Sequence, residues 1–392
     1  MGIGGILRVR DGDHIIIDTT GLTNPGRIEL AGGTVEYRGV LSNLGNGIIS
    51  GRGTFRAGTN NPGGNGVSNL GAILLSGGTT DFHGDVNNPG SGRIIISGNA
   101  IVTFFDDVTH NGAEFRVSAG SVAVFFGEVT GSGVFTGGGA KFFEGGVSSP
   151  AFLATDGATT VQAPAVLTTA YLRESSLTSY GQTALAPGSL TSRLGALDLS
   201  TTGSLDLADN RLVLDLATGI DVKDAIPQVR EYLRFHQLFS STADADPADQ
   251  LAVGYIDNAL LNANQWGDLS VDTTTLLTRL TYLGDANLDG VVDADDFALI
   301  DKGYLTGGQT WWLGDFDYDR QVTAADYLLI DRVFLQQQGV VSPSFLSLRQ
   351  SQFGADYVSA LVVSVPEPAC VAVVALAAVT WTRRRPEQGR RI

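Results

Sequence analysis

Short apolar runs of alternating pattern, cut by Gly, Asn and Pro clusters, fill residues 1 to 165. Such runs predict many short strands, because successive side chains of a strand face opposite sides. Four of them read alike: Thr79–Val86 (TTDFHGDV), Ile101–Val108 (IVTFFDDV), Val122–Val129 (VAVFFGEV) and Ala140–Val147 (AKFFEGGV). Their closing valines stand 22, 21 and 18 residues apart. A period of about 20 without helical spacing points to stacked β coils, since one coil cannot bury its apolar face alone. The expected fold is mainly β: a Gly-rich β-solenoid of the parallel β-helix kind, with Phe82, Phe105, Phe126 and Phe143 stacked one per layer. A β-sandwich of irregular hairpins is the competing reading.

Residues 166–282 have a different texture. Leu197-Asp-Leu199, Leu205-Asp-Leu207 and Leu212–Leu216 alternate strictly, which predicts half-exposed strands in a Leu/Asp-rich β region. Asp224–Phe235 predicts a short helix with Pro227 accommodated in its first turn. In period and composition, though not through any single motif, residues 1–165 resemble the autotransporter-type β repeats of bacterial surface proteins.

Residues 283–340 change character again. Asp285-Ala-Asn287-Leu-Asp289-Gly290-Val291-Val-Asp293-Ala-Asp295-Asp296 has the spacing of a 12-residue calcium loop. Calcium takes six to eight oxygens, drawn from loop positions 1, 3, 5, 7, 9 and 12, with a turn at position 6. Asp285, Asn287, Asp289, Asp293 and Asp296 supply side-chain oxygens, with Asp293 acting through water. Val291 offers its carbonyl, and Gly290 makes the turn. A second loop begins 30 residues later, with Asp315, Asp317, Asp319, Gln321 (by its carbonyl), Thr323 and Asp326 at the same positions. Its position 6 is Arg320, and a left-handed conformation there costs a non-glycine residue about 1 kcal/mol. The second site is therefore expected to be the weaker.

Each loop runs into an apolar segment, Phe297–Tyr304 and Tyr327–Phe334. Aligning Leu283–Leu305 with Leu313–Leu335 gives 11 identities in 23 positions. Phe297, Ile300 and Tyr304 match Tyr327, Ile330 and Phe334, so both segments predict helices with apolar faces that pack together. Loop plus following helix, twice, resembles the dockerin family. That resemblance implies a small α-helical module, bound Ca2+ and a cohesin-type partner. The Ser-Thr pair frequent at loop positions 10 and 11 of cellulosomal dockerins is replaced by Ala294-Asp295 and Ala324-Ala325. Lys302 and Arg332 occupy matching helix positions and leave a two-fold symmetric contact surface as the expectation.

Charge sharpens this picture. The net charge is −16, and eleven Asp against Lys302, Arg320 and Arg332 place −8 of it between Leu283 and Leu335. Such a balance suits hard cations and argues against nucleic acid, which needs a basic footprint. Cys370 is the one cysteine, so no intramolecular disulfide forms, and the four scattered histidines lack zinc-ligand spacing.

After an expected linker at 341–364, residues 365–392 begin Val365-Pro366-Glu367-Pro368, continue with an apolar run from Ala369 to Trp381 and reach Arg383-Arg384-Arg385. Thirteen helical residues span about 20 Å, short of the roughly 30 Å bilayer core. The three parts in order resemble the PEP-CTERM sorting signal of exopolysaccharide-producing bacteria. This implies export, transient anchoring by a short hydrophobic helix, processing by an exosortase, and a place at the cell surface or outside it. The order of features before the calcium loops resembles planctomycete-type surface proteins. Met1–Arg8 shows no signal peptide; because the resemblance implies one, a missing start is expected.

The function expected is a structural or interaction role, with exopolysaccharide as a further partner. The alternative is a polysaccharide-degrading hydrolase or lyase on the β-helix. Hydrolysis needs two carboxylates across a cleft. Asp106, Asp107, Glu128 and Glu144 form a candidate ladder, for which a polar turn at each coil corner is the simpler reading.

Overall fold

The computed structural model describes residues 4–58, 65–148, 151–153, 157–217, 220–338 and 341–365. The expected sorting signal beyond Val365 lies outside them. Among the described residues no helix is long and apolar enough to cross a membrane. The chain divides into two units, and the division is interleaved. Residues 1–241 and 257–278 make one, and residues 242–256 and 279–392 the other.

The first unit is a β-solenoid of parallel stacked coils. The coils build three ladders; Arg27–Tyr37, Ile48–Ala57 and Ala72–His83 are long strands that each serve the first two. The first ladder runs from Ile6–Arg10 through Arg93–Ser97 and Glu114–Val117 to Arg211–Asp215. The second contains Ile101–Phe104, Val122–Phe125 and Ala140–Phe143. The third is an eleven-stranded sheet from Gly21–Asn24 to Leu238–Phe239. The aligned valines are direct neighbours in it: Val86 pairs with Val108, Val108 with Val129, and Val129 with Val147.

The aromatic column differs from expectation by one residue. Phe82, Phe104, Phe125 and Phe143 are in register and buried. Phe105 and Phe126 point outward, 39% and 50% exposed, where they stack on each other and on His83. In a Phe-Phe pair one ring must face in and the other out, so a one-residue slip exchanges core for solvent.

The coils also continue past residue 165. The Leu-Asp-Leu segments are strands of all three ladders, leucines inward, so the Leu/Asp-rich region is largely more solenoid. The helix expected at 224–235 spans Val222–Arg234 and is capped by Asp221, whose carboxylate accepts from Lys223 N. Pro227 therefore lies past the first turn. The helix rests on the last coils, where Tyr232 Oη accepts from Leu199 N at 3.0 Å.

Inside the third ladder runs a chain of buried side-chain amides. Asn24 donates to Asn43 (2.8 Å), Asn43 to Asn69 (2.7 Å), Asn69 to Asn88 (2.7 Å) and Asn88 to His110 Nδ1 (3.1 Å). Each buried polar group finds its partner one coil away, which removes the cost of its desolvation. Further along, Lys141 and Glu174 form an ion pair of 2.7 Å with both side chains fully buried.

The second unit holds the paired loop–helix segments, with helices Ala294–Thr306 and Ala324–Gln338. The expected linker is instead largely helical, at Pro343–Phe353 and Ala355–Ser364. Arg349 anchors it. Its guanidinium makes two 2.7 Å bonds to Asp331, lies against the rings of Phe297, Tyr327, Phe345 and Phe353, and shares Asp331 with Tyr357. The apolar residues of 341–364 follow no strong stripe, so their pattern reads as a linker.

Candidate metal centre

Each loop is shaped by its own oxygens. In the first, the Asp285 carboxylate is buried and accepts Asp289 N at 3.1 Å and Gly290 N at 2.9 Å, with the Thr281 hydroxyl as a third donor. Asn287 accepts Asp289 N, Asp289 accepts Val291 N, and Asp293 accepts Asp295 N, each at 2.9 Å. Asp296, from the first turn of the helix, closes the ring. One oxygen takes Ala286 N at 2.8 Å and the other Asp293 N at 2.9 Å.

The second loop repeats the pattern. Asp315 accepts Arg320 N, Asp317 accepts Asp319 N, Asp319 accepts Gln321 N, and Thr323 Oγ1 accepts Ala325 N. Asp326 takes Phe316 N at 2.8 Å and Thr323 N at 2.9 Å. Asp315, Asp317 and Asp326 bring one carboxylate oxygen each within 4.8 Å of one another. Arg320 is left-handed, φ 76°, as Gly290 is at φ 94°. A left-handed conformation costs a non-glycine residue about 1 kcal/mol, and Asp317 in place of Asn287 gives the second loop one more formal charge.

The donor set suits a hard divalent cation. Burial, followed by neighbouring carboxylates, pushes Asp296 up to about 6 and Asp326 up to about 7, and burial raises Asp285 as well. These are desolvated acids crowded by like charge, a conflict that a bound cation relieves. The backbone carbonyls of Val291 and Gln321 remain the expected position-7 donors.

The helices meet through Phe297 against Phe334 (5.3 Å between ring centres) and Tyr304 against Tyr327 (5.8 Å). The matched cations part ways. Lys302 is exposed, whereas Arg332 binds Asp249 at 2.9 Å and is mostly covered. The expected two-fold surface therefore does not extend to this pair.

Two members of the acidic ladder on the solenoid have a local role. Asp106 accepts Gly84 N at 2.7 Å and Asp107 accepts Glu128 N at 2.8 Å, so these carboxylates tie neighbouring coils at the corner. Nearby, an open groove is lined by Arg93, Glu114, Ser132 and Thr136. Glu114 is the one carboxylate among the described lining residues, and Arg93 and Arg116 pair with it.

Sequence reasoning overlooked Trp311, Thr281 and Tyr318 around the loops, and the asparagine chain in the solenoid. The asparagines had a signal. Each follows the inward aliphatic of its strand by two residues: Leu22/Asn24, Leu41/Asn43, Val67/Asn69, Val86/Asn88 and then Val108/His110. Comparison with known proteins finds no matching family, no similar curated protein and no similar solved structure.

Proposed function

We propose that this chain belongs to the class of β-solenoid proteins that carry a calcium-binding loop–helix pair of the dockerin type. Within that class we read it as an exported structural or interaction element of the cell surface or extracellular polymer matrix. The observation that carries the reading is the duplication. Two 12-residue loops, each closed by a buried Asp from the following helix, place oxygen side chains at the same positions.

Cation affinity in such loops follows ligand charge and site rigidity, and both loops are rich in charge and tightly bonded. A solenoid suits the spacing and display role, since its stability builds from neighbouring coils. The Pro-Glu-Pro, apolar and Arg-rich tail supports the surface location and an exosortase as processing partner. A cohesin-type protein and exopolysaccharide remain the partners to test. The enzymatic alternative needs two carboxylates facing a sugar chain, and among its described lining residues the Arg93–Glu114 groove offers Glu114 alone.

The deciding experiment combines calcium titration of the whole chain with a glycan array read for binding and for turnover. Two bound calcium ions with retained, uncleaved glycan support the reading. Release of shortened products overturns the non-enzymatic part, and failure to bind calcium overturns the metal assignment.

A further inference from the structure

We infer that the two loops bind their cations cooperatively, through Trp311 and a strand, Leu251–Asp257, that lies outside the repeated sequence. The inference rests on the calcium reading above and adds to it a coupling between the sites.

Three observations carry it. First, each loop begins over the other's helix. A Cβ on Gly284 would lie 2.6 Å from Ile330 Cγ1, and one on Gly314 would lie 2.5 Å from Ile300 Cγ1. Both glycines are left-handed, φ 101° and 97°, so neither first ligand can shift without moving against the opposite helix.

Second, Trp311 touches both loops. It is fully buried, and its indole N–H donates to the Asp285 backbone carbonyl at 2.7 Å. Its ring meets Phe316 edge-on at 5.0 Å and stacks on Tyr318 at 5.7 Å. The backbone of the first ligand in one loop is thus fixed by a residue that packs on positions 2 and 4 of the other.

Third, position 4 of each loop converges on neighbouring residues of the strand. Leu288 and Tyr318 are both left-handed, φ 60° and 62°. The Tyr318 hydroxyl donates to Val253 O at 2.8 Å. Gly254 is held so close to Leu288 and to the Trp311 indole nitrogen that a Cβ there would lie 2.4 and 2.9 Å from them.

Position 4 lies between two ligands in each loop: Asn287 and Asp289, or Asp317 and Asp319. A cation that draws those ligands together fixes the residue between them against Val253 and Gly254. The strand, ordered by one loop, then meets the other already placed. Couplings of this kind change affinity about 5- to 150-fold, and by the same factor in both directions.

The test is calcium titration of the full chain by calorimetry and chelator competition, with folding followed by circular dichroism. Asp317→Ala disables the second loop and is expected to weaken the first at least about fivefold. In Trp311→Phe, or in the milder Tyr318→Phe if the first does not fold, the same Asp317→Ala change is expected to cost the first loop less than about twofold. Two bound ions with a first-loop affinity indifferent to Asp317→Ala overturn the coupling and leave the calcium reading intact. An undiminished effect in the Tyr318→Phe background overturns the route through the strand. Absence of calcium binding by the unaltered chain overturns both.

Discussion

Glu174 and Lys141 lie inside the solenoid with their charged ends 2.7 Å apart and no solvent exposure of either side chain. The Thr159 hydroxyl donates to Glu174, and Lys141 Nζ also donates to Gly139 O at 3.3 Å. At an effective dielectric near 20, the attraction across that 2.7 Å contact is about 6 kcal/mol. Desolvation of the two ions, several kcal/mol each, opposes it. The pair is consequently near balance as a pair and costly to halve. Glu174→Leu deletes the attraction while the ammonium stays buried with one carbonyl, and is expected to cost about 3–5 kcal/mol. Lys141→Met/Glu174→Leu removes both charges and both penalties, and is expected to return to within about 1 kcal/mol of the parent, or above it. Urea denaturation followed by circular dichroism gives the stabilities. Hydrogen exchange at Ala140–Phe143 and Ala158–Val161 places the loss, because solenoid coils act mainly on their neighbours. A Glu174→Leu protein within about 1 kcal/mol of the parent refutes the reasoning, as does a double variant no better than the single.

Three further outcomes follow from the same structure. His110 Nδ1 accepts from Asn88 Nδ2 and Gly112 N, so its proton sits on Nε2 facing Val134 O; burial lowers its pKa below 6.5. Its stabilising share is therefore complete above the unfolded value and is lost as pH falls from about 6.5 toward the lowered folded value; urea midpoints between pH 7.5 and 5 should show a slope that His110→Asn reduces. Asn69→Leu removes one acceptor of the Asn43 amide, which keeps the carbonyls of Gly47 and Ala72, and leaves the Asn88 carbonyl without its donor, at about 1–3 kcal/mol for the group left unpaired; a urea midpoint equal to the parent's would contradict the chain of amides. Arg349→Met strips buried Asp331 of its cation and leaves it the Tyr357 hydroxyl, at about 3–5 kcal/mol, and should open 343–364 to protease ahead of the rest of its unit.

Much of this was legible beforehand, for identifiable reasons. The stacking of coils showed in the closing valines because inward aliphatics recur once per coil, and those valines are register partners on adjacent strands. Which of two adjacent phenylalanines faces inward did not show, since Phe104 and Phe105 are chemically equal and strand register decides between them. The two loop–helix repeats were readable because their turn-forming residues are local, spaced along 12 residues. Trp311 and Gly254 were not, because they act on the loops through tertiary contacts that leave no periodic trace. The helices at 343–364 were hidden for a similar reason: Arg349, a residue ordinarily expected at the surface, is their buried anchor.

The interleaving of the two units constrains how this protein can be taken apart. The chain leaves the solenoid after Ser241, returns at Asp257 and leaves again after Thr278. A single cut anywhere along it separates no intact unit from the other. A fragment starting at residue 279 lacks Val253 and Gly254, on which both loops lean. The loop–helix pair is thus not a cassette that can be excised or grafted at its sequence boundary. Transplanting it would require carrying 242–256 along, or rebuilding that strand in the new host.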